Sequence, residues 1–175
     1  MRIMTAALAV LPVFCLAGCG ATSVAKMGYK TVIGVDADAI PLETIPAGAL
    51  APYGTVQVGQ VTTDVGPICP ASLLAEVRNQ MRDAFADRLT VTFPGAGRSL
   101  TVDVVCRYYK KKRRIGNEGR LDVLVYLKDT ETGRHVGRFY VEAISESPLH
   151  TGEDDMAEEV AEEIASQLVE FKRED

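Results

Sequence analysis

The chain has 175 residues, of which 47% are hydrophobic, 25% charged and 6% aromatic, with a formal net charge of -5 and no tryptophan. This balance excludes a disordered, collagen-like or multi-span membrane protein and fits one globular domain. No catalytic or ligand-binding signature accompanies it, so the residues say more about where the protein works than about what it does.

At the N-terminus, Met1 to Thr5 carries one basic charge and is followed by an apolar run from Ala6 to Phe14. The run is shorter than the roughly 20 apolar residues a membrane-spanning helix needs, and reads as the core of an export signal. It ends in Leu16-Ala17-Gly18-Cys19, which resembles the lipobox of bacterial lipoproteins. The resemblance implies cleavage after residue 18 and acylation of Cys19, so that residues 1–18 are signal, 19–28 a lipidated tether and 29–175 a single periplasmic domain. Two or more acyl chains, such as palmitate, hold a protein stably at a bilayer at about 0.8 kcal/mol per buried methylene. Gly20 stands where a retained enteric-type lipoprotein carries Asp, which implies outer-membrane sorting.

Loss of 18 residues from 175 leaves 157, enough for one core. The first strand is expected at Lys30 to Val35, followed by a wandering loop from Pro41 to Pro52 that holds three prolines. Thr55 to Val61 alternates apolar and polar residues like a half-buried strand. Leu73, Leu74, Val77, Met81, Ala84, Phe85 and Leu89 then fall on one helical face, and Phe93-Pro94-Gly95-Ala96-Gly97 stops that helix. Strands are expected at Leu100 to Cys106, Leu121 to Leu127 and Val136 to Ile144, the last two joined by a tight turn in which Gly133 supplies a positive φ. A final helix places Met156, Val160, Ile164, Leu168 and Phe171 on one stripe of an otherwise acidic surface.

The order β-β-α-β-β-β-α predicts an α/β two-layer sandwich: a mixed sheet containing one right-handed βαβ unit, with both helices on one face. Leu121 to Gly133, with its Asp129-Thr130-Glu131-Thr132-Gly133 hairpin behind a lipobox, resembles small bacterial envelope lipoproteins. In architecture these are similar to the TolB N-terminal domain and to lipoprotein activators of peptidoglycan synthases. That resemblance carries no catalytic residues.

In a βαβ unit the crossover helix starts where both parallel strands finish, so Cys69 and Cys106 are placed to meet. In an oxidising compartment they are expected to form a disulfide, worth about 4 kcal/mol for a loop of about 38 residues. The alternative is two buried thiols; a redox-active pair lacks Cys-x-x-Cys spacing. Cys69, Cys106, His135 and His150 are zinc-compatible types without zinc-site spacing, and no metal or other cofactor is expected. Ser145, Ser147 and His150 lack a nucleophile elbow, and no catalytic residue is assigned.

Arg107-Tyr108-Tyr109-Lys110-Lys111-Lys112-Arg113-Arg114 is the most unusual stretch. Successive cations cannot all be buried on alternate strand faces, so they are expected to project as a hairpin arm. Residues 98–140 carry 11 basic and 5 acidic side chains, a net of +6, whereas 141–175 carry 2 and 12, a net of -10. The acidic surplus reads as a solvated helix face that favours the helix N-terminus. The arm reads either as edge protection or as a contact for an envelope protein or anionic surface, with Tyr109, Lys110, Lys111, Lys112, Arg113 and Arg114 as contact residues. Nucleic acid is not expected as a partner of an exported chain. The composite expectation is a non-enzymatic outer-membrane lipoprotein, anchored by lipid and binding an envelope partner. A small-molecule or lipid-binding domain is the alternative.

Overall fold

The computed structural model describes residues 34–111, 118–145 and 152–173. The expected signal, Cys19 and tether, together with Lys112, Arg113, Arg114, Ser147 and His150, lie outside the described residues.

Five strands, β1 (Val35–Pro41), β2 (Tyr53–Thr63), β3 (Arg98–Lys110), β4 (Gly119–Asp129) and β5 (His135–Ser145), form one sheet in the order β1-β5-β4-β3-β2. β2 and β3 are parallel and the other neighbours antiparallel. Helix α1 (Ala71–Arg88) makes the crossover between the parallel pair, and α2 (Glu153–Lys172) follows β5. The result is the expected mixed-sheet α/β sandwich. Of the strand expected at Lys30 to Val35, residues 30–33 lie outside the described residues; the described strand runs on to Pro41, with Val35 and Ala37 buried and alternating with exposed Asp36 and Asp38 along an edge. The acidic side chains suit that edge, where unpaired backbone groups would otherwise invite another strand.

Sheet and helices meet in one core. Leu100, Val102, Val104, Leu121, Val123, Val125, Leu127, Phe139, Val141 and Ala143 point to the helices, and Leu73, Val77, Met81 and Phe85 of α1 meet them as the helical periodicity requires. In α2, Met156, Val160, Ile164 and Leu168 are joined by buried Ala157, Ala161 and Ala165. Those small side chains let the two helices pack close together. Glu159 is buried as well, which corrects the expectation of a uniformly solvated acidic surface.

The Pro41 to Pro52 segment is also more ordered than a wandering loop. Three successive turns (Ala49 N–H to Pro46 O, Ala51 N–H to Gly48 O, Tyr53 N–H to Leu50 O) fold it against the end of α2, where Gly48 N–H donates to Arg173 O at 2.9 Å. The Lys172 ammonium donates to the carbonyls of Leu50, Ala51 and Tyr53 at 3.1, 2.8 and 2.5 Å, and lies over the Phe93 ring. The prolines limit the conformations the unfolded segment samples, which lowers the cost of this docking.

Candidate functional site

Strand polarity sorts the molecule into two ends. β2 and β3 finish, and both helices begin, at the end where β4 starts and β5 finishes. The first described strand also enters there, since Val35 pairs with Ser145. Of the residues singled out in the sequence, Cys69, Cys106, Tyr109, Lys110 and Lys111 lie at this end.

Its geometry depends on a bulge. Cys106 pairs with Val123, but Tyr108 pairs with Asp122 and Tyr109 with Leu121, so Arg107 is the extra residue. A bulge reverses the facing of everything beyond it. Tyr109, which simple alternation from Cys106 would turn away from the helices, instead joins the core and is 7% exposed. Tyr108 turns outward and is 44% exposed, with the Arg120 guanidinium over its ring. Tyr109 therefore does not belong to the exposed arm. Lys110 and Lys111 do, at the end of β3.

Among the described residues, the arm meets the acidic helix at Glu153. Glu153, in the first turn of α2, accepts from the Tyr109 hydroxyl at 3.0 Å and from the Lys111 ammonium at 2.9 Å through the same oxygen. Hydrogen bonding to Lys111, with help from Tyr109 and Ser72 and against some burial, holds the Glu153 carboxyl below its usual range. Burial, reinforced by the bond to Glu153, pushes the Tyr109 hydroxyl well above its usual range. The basic and acidic halves of the sequence are thus clamped together, with Lys110 left outside the clamp.

Around this clamp lies an open groove of about 880 Å³. One wall is the Pro67–Pro70 turn and the other is Tyr108 to Lys111, with Glu118 and Glu153 at the margins. Ile68, 63% exposed, and Tyr108 give it an apolar surface that water covers at a cost. Pro67 and Gly66, whose φ is 59°, hold the first wall in a single 3-10 turn that Cys69 N–H closes onto Gly66 O.

Cys69 and Cys106 meet beneath these walls, as the βαβ geometry requires. In the structure they are free thiols, 3% and 2% exposed, and not the bond expected from the sequence. Each perturbs the other: Cys106 lowers the Cys69 thiol below its ordinary range, and Cys69, together with burial, raises Cys106. The Cys106 thiol also lies 3.6 Å from the Tyr108 carbonyl. His135 is at the far end of the sheet, bonded to Glu43 at 2.6 Å, so the structure does not bring it to the thiols.

A polar cluster on the helix-free face of the sheet had no counterpart in the sequence reading. Buried Asp122 accepts from Arg120 Nε at 2.8 Å and from the Tyr140 hydroxyl at 2.9 Å, and Arg120 also pairs with Glu142 at 2.8 Å. The pattern was available as Arg120-x-Asp122, but the partners come from β5 and are visible only once the register is known. Burial and the bond to Asp122 push the Tyr140 hydroxyl up to about 12. Every member has a partner, and the cluster fastens β4 to β5. Among the described residues, no group of histidine, cysteine and carboxylate side chains is arranged to hold a metal ion, and no helix is long and apolar enough to cross a membrane.

No family model matches the chain, and no curated protein matches it. Among solved structures it is similar to a PelC dodecamer from Paraburkholderia phytofirmans, at 15% identity and a TM-score of 0.43, covering 81% of this chain and 99% of that one. It is also similar to a candidate lipoprotein from Caulobacter crescentus CB15, at 17% identity and a TM-score of 0.41, covering 70% of this chain and 93% of that one.

Proposed function

We propose that the protein is a non-enzymatic, lipid-anchored envelope adaptor that docks a periplasmic partner in the groove at the basic end of its sandwich. Leu16-Ala17-Gly18-Cys19 supports the anchor, and Gly20 supports the outer membrane as its address. The observation that carries the docking surface is the groove itself, where exposed Ile68 and Tyr108 stand beside Lys110 and Lys111. Apolar contact of this kind supplies affinity, while the cations steer an acidic partner to it and set the salt dependence of capture. Only 14 residues lie between Cys19 and Gly34, a reach of at most about 50 Å, so this end stays near the membrane to which Cys19 is fixed.

A small-molecule or lipid carrier needs space between sheet and helices. That space is filled by Leu73, Met81, Leu100, Phe139, Ile164 and Leu168, all fully buried, which favours the adaptor.

The test is crosslinking in intact envelopes, followed by recovery of the protein from wild type and from a variant with Lys110 through Arg114 made neutral. The adaptor reading expects one acidic protein to be recovered at least fivefold less with the variant, at an almost unchanged melting temperature. Equal recovery removes the basic end as the docking surface. Recovery of lipid or a small molecule in place of protein favours the carrier.

A further inference from the structure

We infer that Cys69 and Cys106 are a reversible dithiol–disulfide pair that staples the two walls of the groove to each other. The two cysteines are the inner ends of those walls. Cys69 closes the Gly66–Ile68 turn from which Pro67 and Ile68 project, and Cys106 is the last residue before the bulge that turns Tyr108 outward. Both thiols are buried beneath the walls, and Thr63, six residues before Cys69, pairs with Cys106 in the sheet, so a bond of about 2.05 Å requires only a local movement of the turn. The wall that must move is the weaker one: the 3-10 turn buries none of its own residues, and its backbone is held to β3 through Asp64 N–H, 3.4 Å from Cys106 O, and the Thr63 hydroxyl, 3.1 Å from the same oxygen. Segments with so little buried surface open locally at small free-energy cost, which gives an oxidant access to otherwise buried Cys69.

The chemistry needs a disulfide-bearing oxidant, the class of thiol oxidant that an exported protein meets. Cys69, as thiolate, attacks one sulfur of the oxidant; that disulfide breaks, and its other sulfur leaves as a thiol after taking up a proton. Cys106 then loses its proton and attacks the Cys69 sulfur of the mixed disulfide, releasing the second oxidant thiol. Two cysteines are oxidised, one disulfide is reduced to two thiols, and the two protons pass from the cysteines to the oxidant. Cys69 is the attacking residue on position as well as polarity. It precedes the N-terminus of α1, where a thiolate is favoured, whereas the Cys106 thiol donates to the Tyr108 carbonyl.

Oxidation joins the turn to the strand and holds Ile68 and Tyr108 at fixed separation; reduction frees the turn. The staple matters to docking only where the groove is the docking surface proposed above, whereas the bond itself follows from where the sulfurs lie. The two are therefore separable by experiment. Full-length lipidated protein, extracted in detergent, is equilibrated with oxidised or reduced glutathione across a series of ratios. Cys69 and Cys106 are then read by differential alkylation and peptide mass, and amide exchange is followed over residues 66–70 and 108–111.

The expected result is paired protection of both cysteines from alkylation in the oxidised samples, reversed by reductant. Exchange over 66–70 should slow at least tenfold, and the melting temperature should rise by about 5–10 °C relative to the reduced protein. Two alkylatable cysteines at every ratio overturn the pair. Oxidation without a change in exchange over 66–70 overturns the staple. Cys69→Ser and Cys106→Ala, each alone, should remove the glutathione dependence. Because wild-type protein in reductant provides the same comparison, a variant that fails to fold leaves the test intact. Loss of partner capture in the neutral-arm variant alters none of these readings.

Discussion

The two ends of the sandwich are built from similar amounts of loop but closed in different ways. At the end where α2 finishes, the Pro41 to Pro52 segment, Phe93 and the β4–β5 hairpin are drawn together. Lys172 spans three carbonyls, fully buried Leu50 fills the corner, and buried Asp129 accepts from the Thr132 amide at 2.9 Å and hydroxyl at 2.7 Å and pairs with Arg98. Among the described residues at the end where α2 begins, Glu153 gathers the arm, while Ile68, Tyr108 and Lys110 stay exposed over a pair of free thiols. A loop end that exists to close the fold satisfies its polar groups and buries its apolar ones. An end that leaves both kinds exposed side by side is where the proposed docking is to be tested.

Substitutions that separate closure from docking sharpen this contrast. The largest effect is expected at the closed end: Leu50→Ala removes a fully buried side chain and should cost about 2–4 kcal/mol by chemical denaturation. Lys172→Met, which strips three carbonyls of their shared donor, should cost about 1–3 kcal/mol. At the open end Tyr109→Phe loses one hydrogen bond to Glu153 and should cost about 0.5–1.5 kcal/mol, because its ring remains packed. If that change costs more than Leu50→Ala, the open end is a structural closure and the contrast is broken.

Acid titration probes the clamp. The folded Glu153 carboxyl lies below its unfolded value, so its contribution is fully present above the ordinary carboxylate range and is lost as pH falls through the folded value. Lys111→Met removes the first cause of that depression, and the acid limb of its stability curve should be measurably shallower than that of wild type. The smallest effect is at Glu158. Burial, with repulsion from Glu162, Asp155 and Asp154, raises its carboxyl, so the charged form is unfavourable near neutral pH. Glu158→Gln should stabilise the fold by a few tenths of a kcal/mol at pH 7, with the gain fading as pH falls through the raised value.

Much of the fold was legible because it rests on periodicity. Leu73, Val77, Met81 and Phe85 announce one helix, Met156, Val160, Ile164 and Leu168 the other, and Asp129 to Gly133 the hairpin, whose Gly133 has a φ of 67°. The placement of Cys69 and Cys106 at the same end of the sandwich was legible too, since it follows from the topology of a βαβ unit. Tyr109 was misplaced for a specific reason: strand alternation carries facing from residue to residue only while the register holds, and the bulge at Arg107 has no sequence mark such as glycine. The docked Leu50 corner was hidden because its partners, Lys172 and Phe171, lie about 120 residues away, and local pattern says nothing about such a pairing. Buried Ala157, Ala161 and Ala165 had no place in that pattern, because a small residue reports close packing only when the facing helix is known.

The central claim is that the end bearing Tyr108, and not the end bearing Val91, receives a partner. Both side chains are exposed, at 44% and 92%, so a photoreactive benzoylphenylalanine is accommodated at either position. Illumination of intact cells carrying each variant at matched expression makes the comparison directly. A discrete crosslinked product from position 108, absent from position 91 and lost when Lys110 through Arg114 are neutral, is the predicted result. A product from position 91 alone, or equal products from both, would contradict the assignment of docking to the groove.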